Sequence, residues 1–111
     1  MIIGLKRTIS ELKSCPAGFG LLIKLDLTNL ELITSADCFP ASSCERWSRI
    51  EPFEVSCGFH TIETCPNMEA LKRIAINAIA HTGSEVYQTE ERSDYIEKAI
   101  AALQVEGDMQ P

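Results

Sequence analysis

Residues 67–83, NMEALKRIAINAIAHTG, constrain the fold most, because a start, an apolar face and a stop can all be read there. Asn67 follows Pro66, and an asparagine side chain in that place accepts a hydrogen bond from an orphan N–H of the first turn. Met68, Leu71, Ala75, Ala78 and Ile79 recur at spacings of three and four, and Ile74 widens the stripe. Ile76 and Ala80 lie outside it, so apolar residues cover more than half the circumference and leave Lys72, Arg73 and Asn77 as the wet side. Glu69 in the first turn and His81 in the last complement the helix dipole, and Gly83 supplies a left-handed stop. Such a helix lies mostly buried across a sheet.

The sheet is read from the residues before it. In 20–27, Leu21, Ile23, Leu25 and Leu27 alternate with Lys24 and Asp26, which is the period of a half-buried strand. Thr28-Asn29 is a turn in which asparagine tolerates positive φ, and 30–34 is the returning strand with Leu30 and Leu32 inward. A third strand over 51–59 puts Phe53, Val55, Cys57 and Phe59 on one face, with Pro52 restricting its start to an edge or a first residue. A short fourth strand is expected at 61–64. Lys24, Asp26, Glu31, Glu54, Ser56 and His60 are expected on the solvent face of the sheet.

Three segments remain. Thr8 to Glu11 fits a capping box and starts a short helical piece through Lys13, broken by Cys15-Pro16-Ala17-Gly18. Residues 35–49 read as a long irregular loop, of the kind that often carries function. A second helix over 93–104 buries Tyr95, Ile96, Ala99, Ile100 and Leu103 and pairs Asp94 with Lys98, and 107–111 is a loose tail. The expectation is one α+β domain: an antiparallel sheet of three to four strands, with helices at about 67–82 and 93–104 packed on one face.

Charge narrows the function more than composition does. The net charge is −6. Residues 81–111 hold Glu85, Glu90, Glu91, Asp94, Glu97, Glu106 and Asp108 against only Arg92 and Lys98. The excess negative charge therefore sits in the C-terminal quarter. That disfavours direct nucleic-acid binding, and the basic pairs Lys6-Arg7 and Lys72-Arg73 are too few for a footprint. No run approaches the roughly 18 apolar residues of a membrane span, and the N-terminus lacks the order of a signal peptide, so a cytoplasmic setting is expected.

Chemistry is thinly signalled. Neither GxGxxG nor GxxxxGKT occurs. The cysteines Cys15, Cys38, Cys44, Cys57 and Cys65 are odd in number, which argues against a complete disulfide framework. Cys57 and Cys15 are expected as small buried hydrophobes. An alternative zinc set would use Cys57, His60 and Cys65 with Cys44 or Cys38, but it needs a bend at Gly58 to bring Cys57 and His60 to one side. A third reading pairs Cys65 with His81 for nucleophilic catalysis, with nothing in the sequence to orient the pair.

No cofactor and no catalytic set is expected, and the chain reads as a small protein that works by protein–protein contact, as an inhibitor, adaptor or accessory factor. Its size and lack of motifs suit the small reading frames of phages and other mobile elements. Two partner surfaces are expected. One is the acidic helix with Glu90, Glu91, Asp94 and Glu97, facing a basic partner. The other is Trp47 between Arg46 and Arg49, since tryptophan and arginine dominate interface hot spots. A free sheet edge also allows a homodimer.

Overall fold

The computed structural model describes residues 2–43, 51–82 and 90–104. It is an α+β fold of three helices and a four-stranded antiparallel sheet. In chain order these are α1 (Leu5–Ser14), β1 (Phe19–Asp26), β2 (Glu31–Thr34), β3 (Phe39–Pro40), a 3-10 turn at Ala41–Ser43, β4 (Glu54–Thr61), α2 (Met68–Thr82) and α3 (Glu90–Leu103).

β1 is the central strand, as its run of aliphatic residues requires. β4 pairs along one edge of it, and β2 and β3 share the other in succession. Leu21, Ile23 and Leu25 point inward and join Leu27, Leu32 and Val55 in one core with residues from all three helices. Each such side chain contributes about 1.5–3 kcal/mol on burial. The β1–β2 turn is built by Asp26, whose Oδ1 accepts from the N–H groups of Thr28 (2.9 Å) and Asn29 (3.3 Å). The left-handed residue is Leu30, at φ 54°, and not Asn29 as expected. Ile3 bridges Glu31 in parallel and so covers the start of the outer edge of β2.

β4 departs from the expected strand. It starts at Glu54, after a turn containing Pro52, and it carries a bulge: Ile23 pairs with Gly58 and Lys24 with Ser56, leaving Cys57 as the extra residue. Gly58 takes φ 86°, a conformation that favours a residue without Cβ. Beyond the bulge the alternation is reversed. Phe59 pairs with Leu22 on the outer face and packs on Phe39, ring centroids 5.3 Å apart, while His60 pairs with inward-facing Leu21. The expected placements of Phe59 inside and His60 outside are both corrected. The expected fourth strand at 61–64 is instead a turn, closed by the N–H of Cys65 on the carbonyl of Thr61 at 2.9 Å. The fourth strand is β3, within the segment expected to be a loop.

The N-terminal helix is longer than the capping box implied. α1 begins at Leu5 after Gly4, and Leu5, Thr8, Ile9 and Leu12 form its buried face. The box is not used. Glu11 accepts a hydrogen bond from Thr34 Oγ1 at 2.6 Å, and Thr8 Oγ1 is buried with no partner among the described residues. Thr8→Val keeps the shape and removes an unsatisfied hydroxyl, so it should raise stability by about 1 kcal/mol in urea denaturation. An equal or lower midpoint would show that the hydroxyl is satisfied in solution.

α2 is capped as expected, with Asn67 Oδ1 accepting from the N–H of Ala70 at 2.9 Å. Leu71, Ala75 and Ile79 are buried, while Arg73 and Asn77 are exposed. α1 and α3 both pack against α2, and Tyr95 of α3 meets Phe53 edge-on at 5.3 Å. The expected stop at Gly83 and the tail at 107–111 lie outside the described residues.

Candidate functional site

The acidic helix is placed by its apolar residues. Ala99, Ala102 and Leu103 of α3 are buried, and Tyr95, Ile96 and Ile100 are half-buried against the core. That fixes Ser93, Asp94, Glu97 and Lys98 in solvent. Asp94 and Glu97 are three residues apart, so they are neighbours on the helix surface. Glu90 and Glu91 are the first two residues of the helix. The expected Asp94–Lys98 ion pair does not form among the described residues. Lys98 Nζ instead lies 5.8 Å from the centroid of the Tyr95 ring. Trp47, Arg46 and Arg49, the second expected surface, lie outside the described residues, as does Cys44.

The four described cysteines are of two kinds. Cys15 and Cys38 form a disulfide that ties the end of α1 to the β2–β3 connection. This corrects the expectation for Cys15 as a free hydrophobe and removes Cys38 as a metal ligand. Cys57 and Cys65 are free thiols in the core. Burial, with the neighbouring Cys65 adding to it, pushes the Cys57 thiol from 9.0 up to about 12. Burial pushes Cys65 up to about 11. Both are neutral at physiological pH and poor nucleophiles. Because the folded values are raised, both thiols favour the folded state below pH 9, and that contribution is lost as pH rises toward 11–12.

The bend at Gly58 does exist, yet among the described residues it does not gather Cys57, His60 and Cys65 into a metal-binding cluster. His60 Nε2 lies 2.9 Å from the carbonyl oxygen of Cys57, and Nδ1 lies 3.3 Å from Thr64 Oγ1. Among the described residues no three His, Cys, Asp or Glu side chains cluster to hold a metal. The Cys65–His81 pair is not brought together either. Cys65 is fully buried before the first turn of α2 and His81 is exposed in its last, roughly 20 Å away at about 1.5 Å per residue.

No family model, curated protein or solved structure matches this chain. Its function must be argued from its own surfaces. No helix among the described residues is long and apolar enough to cross a membrane.

Two surface features escaped the sequence. A groove of about 760 Å³ separates α1 from the start of α2, lined by Lys6, Ile9 and Lys13 of α1 and by Pro66 and Met68. A smaller one of about 340 Å³ lies on the other flank of α1 beside Cys38. The spacing of Leu5, Ile9 and Leu12 was the available signal for α1, and hence for both grooves.

Proposed function

We propose that the protein acts by protein–protein contact, offering the exposed flank of α3 to a basic partner. The observation that carries this reading is the exposure of Asp94 and Glu97 on a helix whose opposite flank is fixed in the core. Such a surface is preorganised, so binding costs little ordering of backbone, and its charge steers encounter with a cationic partner. The concentration of acidic residues in 81–111 supports the same sign.

The sheet-edge homodimer is the weaker idea. The outer edge of β2 is covered at its start by Ile3, and the bulge in β4 interrupts a regular ladder along the opposite edge of the sheet. As to setting, a cytoplasmic location asks the Cys15–Cys38 bond to resist cellular thiols, whereas an oxidising compartment preserves it.

Selection of random peptides displayed against the immobilised protein tests the proposal. Lys/Arg-rich sequences should be enriched. Glu90→Lys, Glu91→Lys, Asp94→Lys and Glu97→Lys together should weaken their binding at least about tenfold, with a melting temperature nearly unchanged. Enriched sequences without positive charge, or binding indifferent to the reversal, would remove α3 as the docking surface.

A further inference from the structure

The smaller groove runs between the C-terminal half of α1 and the β2–β3 connection, lined by Ser10, Glu11, Ser14, Thr34, Ser35 and Cys38, with Leu21 and Ala36. Both disulfide cysteines are half-buried, but only Cys38 lines the groove. We propose that Cys38 is a thiol–disulfide exchange site whose groove admits small cationic or neutral thiols in preference to anionic ones.

Access selects the sulfur. Cys15 Sγ lies 3.4 Å from the carbonyl oxygen of Glu11, at the end of α1 where the backbone carries partial negative charge. An incoming thiolate therefore reaches Cys38 Sγ and forms a mixed disulfide there. The Cys15–Cys38 bond breaks, and its electron pair departs on Cys15, which takes a proton from water. A second thiol then attacks the mixed disulfide, leaving Cys38 as a thiol and the two small molecules joined as their own disulfide. The bond is the oxidant and the small thiols are the reductant, so the step balances.

The carbonyl beside Cys15 disfavours the departing thiolate, which makes the opening slow. Charge then selects the reagent. Glu11 is held in the groove wall by Thr34 Oγ1, and the exposed Asp37 precedes Cys38 in the chain. Lys13 lines the groove on the other flank of α1 and not this one. Neither Cys57 nor Cys65 competes, since both thiols are buried in the core.

The test uses the full oxidised chain with cysteamine, 2-mercaptoethanol or glutathione, trapping with iodoacetamide and locating adducts by peptide mass mapping. The first adduct should lie on Cys38, with the alkyl label on Cys15 and none on Cys57 or Cys65. Normalised to each thiol's rate with a small unstructured disulfide, cysteamine should react about tenfold faster than glutathione, as one or two carboxylates nearby allow. Glu11→Gln retains the acceptor for Thr34 and, combined with Asp37→Asn, should bring that ratio toward one. A first adduct on Cys15, a ratio indifferent to both substitutions, or a rate independent of thiol concentration would each overturn the proposal.

Discussion

Replacing Gly20 with alanine is expected to cost about 3 kcal/mol or more, because the added methyl meets backbone and not a movable side chain. Gly20 sits in the central strand, paired with Thr61 on one side and Phe39 on the other. A Cβ built there overlaps the carbonyl oxygen of His60 and comes within 2.9 Å of Phe59 Cζ. The phenyl ring can swing aside. The carbonyl belongs to the adjacent paired strand and can retreat only by opening the β1–β4 ladder, which shields the core beneath it. Urea denaturation of Gly20→Ala against the parent measures the effect, and a difference below about 0.5 kcal/mol would mean that β4 does not approach β1 as described.

Loss of the disulfide should be comparably large. The Cys15–Cys38 bond spans 23 residues and encloses the whole β1–β2 hairpin. Closing a loop of that size restricts the unfolded chain by about 3 kcal/mol in the chain-entropy account. A domain is typically stable by only about 5–15 kcal/mol, so this is a large share. The double variant Cys15→Ala, Cys38→Ala and the reduced parent should unfold at similar, lowered denaturant concentrations. The oxidised parent should stand well above both. Coincidence of all three curves would show that the bond contributes nothing to the native state.

The parts of the fold that were legible in the sequence rest on periodicity and caps. Asn67 and the Leu71–Ala75–Ile79 spacing specify α2, and the alternation from Leu21 to Leu25 specifies β1, because each pattern is local and repeats several times. What was missed depended on single residues or on distant partners. Thr8 and Glu11 have the form of a capping box, but Glu11 answers to Thr34 across the groove and Thr8 is drawn into the core. β3 is only two residues long, too short for any period to be seen. The Cys15–Cys38 pairing is a matter of three-dimensional proximity, which spacing does not encode. The acidic flank of α3 was readable because burial of Ala99 and Leu103 determines what the rest of the helix shows to water. The Asp94–Lys98 pairing was not, since an aromatic ring beside Lys98 competes for the same charge.

The bulge at Cys57 gives β4 two halves that are out of step with each other. Up to Ser56 the odd-numbered positions face the helices; beyond Gly58 the even-numbered ones do. One residue thus acts as a spatial reading-frame shift within a continuous strand. Deleting it would leave Gly58, Phe59 and His60 opposite Ile23, Leu22 and Leu21 on the faces they already occupy, because only the extra residue is lost. The strand can therefore absorb the loss of one residue at the bulge, whereas a residue kept there in regular extended form would turn Phe59 toward the helices. The spare residue thus works as slack in the strand, taken up without exchanging the two faces beyond it.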